Sequence, residues 1–188
     1  VSGDLGHVDV KGYIHITGRA KDVIIRGAHN IDPGLVEDAF MAHPAVALCA
    51  VVGEPDAYAG ELPVAYVTLK ACAVIDAAAL LLAVAPTVYE RPACPKRVVI
   101  VEAMPMTAIG KIYKPALRQR AIETKLAEML EGVAPGVEVT VICEERAGGL
   151  VAVTQVTGAI STGLEERIRA TVYDRLTSIA IRFEIRFG

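Results

Sequence analysis

The chain has 188 residues, a formal net charge of −3 at pH 7 and a hydrophobic share of 53%. That length fits one domain with room for an appendage and a sizeable buried core, and the slightly acidic balance excludes bulk electrostatic binding of nucleic acid, which needs a basic patch or stripe. Cys49, Cys72, Cys94 and Cys143 fall singly, without a Cys-x-x-Cys pair, so neither a metal site nor a disulfide framework is expected, and a reducing cytoplasm is the expected compartment. No charged start leads into an apolar stretch, so no secretory signal is expected.

Val8 and Val10, then Ile14 and Ile16, alternate with polar residues about Lys11-Gly12, the pattern of a β-hairpin. A short strand follows at 23–25. Asp32 then offers a capping oxygen, Pro33 suits the first helical position, and Leu35, Val36, Ala39 and Phe40 form an apolar stripe at helical spacing that His43-Pro44 ends. Runs of strand length at 46–52 and 63–69 are separated by the turn-rich Gly53-Glu54-Pro55-Asp56. The most apolar run, 77–85, is far shorter than the ~20 residues a bilayer requires, and between Asp76 and Pro86 it reads as a buried helix. A strand at 97–101 and a long helix from Pro115 to about Leu130, burying Leu117, Ala121, Ile122, Leu126 and Met129, complete a compact α/β unit.

Gly132 to Gly136 reads as a linker. Beyond it, strands at 137–143 and 150–156 join across Arg146-Ala147-Gly148-Gly149, and Thr162-Gly163-Leu164-Glu165 has capping-box spacing. Leu164, Ile168, Val172 and Leu176 recur as one helical face. Ile181, Phe183, Ile185 and Phe187 then alternate with Arg182, Glu184 and Arg186, a half-buried last strand. This ββαβ appendage carries no motif, and its role is open between packing and an oligomer or partner surface; packing is the expected one, because a Phe-rich alternating strand must bury one face.

Two segments carry chemistry. Pro105-Met106-Thr107-Ala108-Ile109-Gly110-Lys111-Ile112-Tyr113-Lys114 presents a lysine on a glycine turn before a basic amphipathic helix, and a compact cation so held can stabilise charge developing on an anion. Gly18-Arg19-Ala20-Lys21-Asp22-Val23-Ile24-Ile25-Arg26-Gly27-Ala28-His29-Asn30-Ile31-Asp32-Pro33 is the other, closing in Val36-Glu37. With Gly3-Asp4-Leu5-Gly6 upstream, these motifs over roughly 2–118 resemble the C-terminal motifs of the adenylate-forming superfamily, and His43-Pro44-Ala45-Val46-Ala47 and Ala59-Gly60-Glu61-Leu62-Pro63-Val64-Ala65-Tyr66 are most similar to bacterial acyl-CoA synthetases.

The resemblance implies a small α/β (α+β) C-terminal lid domain, with the end of the upstream motif and a β-hairpin over 1–17 and a mixed sheet packed by helices over 18–131; the ββαβ extension over 132–188 lies beyond it. It also implies that the large N-terminal ATP- and acyl-binding domain is absent from this chain. The implied reaction has two halves, attack of a carboxylate on the α-phosphate of ATP (with Mg2+) and then of the coenzyme A thiol on the acyl-adenylate. By match, Lys111 is the catalytic lysine, Asp4 holds ribose hydroxyls, Arg19 contacts ribose and phosphate, Lys21 is the hinge of the lid, and Gly27 lies where the pantetheine arm passes. Asn30 and Glu37 are expected to serve structure, as a loop side chain bonding its own backbone and a first-turn acid favoured by the helix dipole. His29 and His43 are expected as loop residues. Leu35 departs from the acid frequent in the family. The implied partners are the chain's own N-terminal domain, ATP, a carboxylic acid and coenzyme A, with no membrane span. The isolated chain is expected to be inactive, and the alternatives are a free-standing binding module reusing the lid fold or the lid of an adenylation domain loading a carrier protein.

Overall fold

A computed structural model describes residues 3–147 and 149–188, so the expected turn residue Gly148 lies outside the described residues. The chain forms two compact units, one of residues up to Gly53 with Glu61–Leu117, the other of Glu54–Gly60 with Arg118–Gly188. The division falls inside a helix rather than at the 132–136 glycines, because Ile122, Leu126 and Leu130 of that helix bury in the second unit's apolar cluster.

The first unit begins with strands β1 (Asp4–Val8) and β2 (Ile14–Arg19), an antiparallel hairpin. Asp9 closes its turn by accepting the N–H groups of Lys11 and Tyr13 at 2.8 and 3.0 Å. Val10 lies in that turn and not in a strand, and Val8, Ile14 and Ile16 are exposed. Then come β3 (Ile24–Arg26), β4 (His29–Ile31), α1 (Pro33–Met41), β5 (Val46–Asp56), β6 (Gly60–Leu69), α2 (Ala77–Val84) and β7 (Arg97–Ile100). The sheet runs β4-β3-β6-β5, with β7 parallel to β6, a pairing whose connection is made through α2 as parallel strands require. Its core joins Ile24, Val36, Phe40, Val51, Val67 and Leu80.

Three expectations are corrected here. β5 continues through Gly53-Glu54-Pro55-Asp56, and the turn follows it, with Asp56 accepting from Tyr58 and Ala59. Proline is tolerated because β5 ends the sheet order, where its missing N–H breaks no ladder. The 77–85 run is a surface helix burying only Leu80 and Val84, while Leu82 is 78% exposed. His29 and Asn30 are strand residues paired with Arg26 and Ile25, not loop residues, and the Asn30 side chain makes no bond to its own backbone among the described residues.

The second unit contains most of α3 (Lys114–Leu130), then β8 (Val137–Arg146), β9 (Gly149–Gly158), α4 (Thr162–Leu176) and β10 (Arg182–Phe187). β9 is central, antiparallel to β8 and parallel to β10. Ser161, not Thr162, caps α4, and it does so without a side-chain bond; its carbonyl takes the N–H groups of Leu164 and Glu165, so the expected capping box does not form. Arg175 instead closes the end of α3 by donating to the Met129 and Glu131 carbonyls at 3.0 and 2.9 Å. On the face of the sheet away from the apolar cluster, Arg146 bridges Glu144 and Glu184, and Arg186 bridges the same two acids.

The two units repeat one topology. Each runs helix, hairpin, helix, parallel strand: α1-β5-β6-α2-β7 and α3-β8-β9-α4-β10. A local device repeats too. Glu37 on α1 accepts the Val51 N–H of β5 at 2.7 Å, and Glu123 on α3 accepts the Cys143 N–H of β8 at 2.7 Å. Both strands end their sheets, and a carboxylate on an edge N–H blunts the edge against pairing with another chain.

Thr154 on β9 is 0% exposed and its hydroxyl has no hydrogen-bond partner among the described residues. A buried unsatisfied polar group costs about 1–3 kcal/mol, so Thr154→Val is expected to stabilise the chain by about 1 kcal/mol, read as a raised urea midpoint at unchanged m.

Candidate functional site

Lys111 stands on a tightly closed loop. Met106 and Ile112 bridge its stem, Tyr113 N–H donates to the Pro105 carbonyl at 2.7 Å, and Thr107 N–H donates to the Lys111 carbonyl at 2.7 Å. Thr107 Oγ1 also accepts the Lys111 N–H at 3.0 Å. Gly110 makes the turn possible at φ 74°, a left-handed conformation that costs a residue with a Cβ. The backbone on both sides of Lys111 is thus pinned, while its side chain is exposed and makes no hydrogen bond or ion pair among the described residues.

The chain continues from this loop straight into α3. Lys114, at the helix start, places its ammonium 2.7 Å from Glu37 Oε1, with the two side chains 19% and 20% exposed. Glu37 is therefore not a first-turn acid complementing a dipole: it lies a full turn into α1, and one carboxylate oxygen serves both Val51 N–H and Lys114. Cys49 lies against the same group, and burial, reinforced by the Glu37 charge and opposed by Lys114, pushes its thiol up to about 12. It is an inert packing residue rather than a nucleophile.

Asp4 and Arg19 meet by register. Gly6 pairs with Ile16 but Leu5 with Gly18, so Thr17 is an extra residue in β2 and the bulge sets Arg19 opposite Asp4. Arg19 Nε lies 3.8 Å from Asp4 Oδ1, with the side chains 70% and 37% exposed. So loose a surface pair contributes about 0–1 kcal/mol. Lys21 follows within a single 3-10 turn, Ala20–Asp22, and is exposed.

Gly27 sits at φ 58° in the two-residue turn between β3 and β4, where a Cβ would meet nothing within 4 Å. A side chain there is opposed by torsion, not by crowding. His43, after α1, accepts the Ala45 N–H at 3.3 Å on Nδ1, a turn role. No hydrogen bond or ion pair joins Lys111 to Asp4, Arg19 or Lys21 among the described residues. Nor do those residues contain a group of three His, Cys, Asp or Glu able to hold a metal ion, and no helix among them is long and apolar enough to cross a membrane. Sequence reasoning passed over Lys114 and Thr107. The available signal was a cation at a helix start, where the dipole disfavours it unless an acid waits nearby.

Residues 35–111 match the AMP-binding enzyme C-terminal domain. The chain is similar to a marinolic acid–CoA ligase of Pseudoalteromonas, 46% identical over 132 residues that make up 70% of this chain and 20% of that protein. It is 41% identical over 125 residues to a medium/long-chain-fatty-acid–CoA ligase of Mycobacterium tuberculosis, covering 63% of this chain and 22% of that one. The crystal structure of ATP-bound MatB from Rhodopseudomonas palustris superposes with a TM-score of 0.60 at 37% identity, over 64% of this chain and 24% of that chain. The chain spans about a fifth of the length of these curated relatives.

Proposed function

We propose that this chain, whose residues 35–111 match the AMP-binding enzyme C-terminal domain, serves as the lid of an acid–thiol ligase that converts a carboxylic acid, a fatty acid by analogy with its relatives, into its coenzyme A thioester. The observation that carries this is the Lys111 loop: an exposed ammonium without a hydrogen bond or ion pair among the described residues, on a backbone closed by hydrogen bonds on both sides, at the last residue of the matched domain. In the first half-reaction negative charge gathers on phosphate oxygens. A positioned cation aimed at that charge contributes on the order of 3–4 kcal/mol to the transition state.

Asp4, by this reading, accepts two ribose hydroxyls, and Arg19 donates its fork to ribose and phosphate. Lys21 is the hinge about which the lid exchanges the lysine face for the thiolation face. Gly27 borders the path of the pantetheine arm. The partner of this surface is a large N-terminal domain holding the nucleotide with Mg2+ and the acid, and a cytoplasmic setting supplies ATP and coenzyme A.

Acid-dependent exchange of labelled pyrophosphate into ATP by the full-length protein tests the reading. Exchange with a fatty acid, followed by AMP release on adding coenzyme A, is the expected result, while the chain alone exchanges nothing. Absence of exchange with any carboxylic acid would overturn it. Exchange followed by transfer to a carrier protein and not to coenzyme A would shift the acceptor.

A further inference from the structure

We propose that Glu37 and Lys114 are positioning residues for Lys111: their ion pair locks the end of the lysine loop to helix α1 and so sets where the reactive ammonium can reach. The inference rests on the role given above to Lys111, but its geometry stands by itself. Lys114 is three residues from Lys111, so the anchor lies within about 11 Å of the Lys111 Cα along the chain. Between them are the Met106–Ile112 bridge and the Tyr113 N–H to Pro105 bond, which leave little slack.

Stability does not account for the pair. The pair is half-buried, and exchanging an ion pair withdrawn from water for apolar groups of similar volume is often neutral or favourable, since desolvation offsets the attraction. Lys114 also stands at the positive end of the α3 dipole, where a cation is disfavoured. The second unit supplies an internal control: Glu123 makes the same bond to an edge-strand N–H as Glu37, at the same 2.7 Å, with no lysine or arginine on its carboxylate among the described residues. Blunting the edge strand therefore needs no lysine. What Lys114 adds in the first unit is a fixed connection between α1 and the start of α3, directly behind the catalytic loop.

The pair and its packing role are separable with two variants. Lys114→Met alone leaves the half-buried Glu37 carboxylate without its cation and is expected to lower the melting temperature. Glu37→Gln/Lys114→Met removes both charges while the amide oxygen still accepts the Val51 N–H, so its melting temperature is expected to return to within a few degrees of wild type. In this double variant the backbone amides of 107–111 should nevertheless loosen, with NMR order parameters falling from the rigid range toward about 0.6. In the full-length enzyme the kcat of adenylation should fall on the order of 10- to 100-fold with the KM for ATP within twofold, as expected when a reacting group is misplaced by about 1 Å. Recovery of the rigid loop and of kcat together with the melting temperature would overturn the proposal and leave the pair a stability element. If the wild-type enzyme forms no adenylate at all, the functional reading fails, and the loop measurement alone decides the positioning claim.

Discussion

Replacing Lys111 with alanine in the full-length protein is expected to slow acyl-adenylate formation by roughly 10²- to 10³-fold, the usual loss when one preorganised donor to a developing charge is removed. The fold of the loop should survive. Every hydrogen bond that Lys111 makes within it runs through its backbone N–H and carbonyl, which alanine keeps. The side chain is exposed, so no packing is lost. Thioester formation from a supplied acyl-adenylate should remain within about tenfold of wild type, because a lid that rotates carries the lysine away in that step. Single-turnover release of pyrophosphate and of AMP separates the two half-reactions. Pyrophosphate release at near wild-type rate would remove Lys111 from the mechanism, and equal loss in both steps would indicate a damaged fold.

The site was legible where local rules act alone. Gly110-Lys111 announces a lysine on a left-handed turn, and Asp32-Pro33 announces a helix start, which the structure confirms with the Gly34 N–H on Asp32 at 2.9 Å. The hairpin and the ββαβ extension followed from period-2 and period-3.6 patterns that survive in any context. What could not be read depends on partners distant in the chain. Glu37 looks like a helix acid until Lys114, 77 positions later, is placed beside it. Asp4 and Arg19 face each other only because a bulge at Thr17 shifts the register, and no spacing announces a bulge. β4 is three residues long, too short and polar for a periodic signal. Turn residues misled at 53–56 because an edge strand excuses proline. The alanine-rich run of α2 has too little contrast between its faces to disclose that one of them is wet.

Phe40→Ala should cost the first unit about 3–5 kcal/mol, the range for deleting a buried aromatic ring and leaving its cavity. Phe40 is 0% exposed and belongs, with Val36, Ile24 and Leu80, to the cluster that joins α1 and α2 to the sheet. Against a typical domain stability of about 5–15 kcal/mol, such a loss is large, and the melting temperature should fall by more than about 10 °C. The consequence reaches the site through the helix. Glu37 precedes Phe40 by three residues on α1, so loosening the helix loosens the carboxylate that holds Lys114. Amide exchange should therefore accelerate at least about a hundredfold both in the strand core at 50–52 and at Tyr113, whose N–H closes the loop stem. Ile168→Ala, in the second cluster, provides the contrast: its first effect should be on amides of β9 and α4. Acceleration in the 50–52 amides with Tyr113 unchanged would show that the loop holds its place without α1, and the chain of contacts from Phe40 through Glu37 and Lys114 to Lys111 would be broken at its second link.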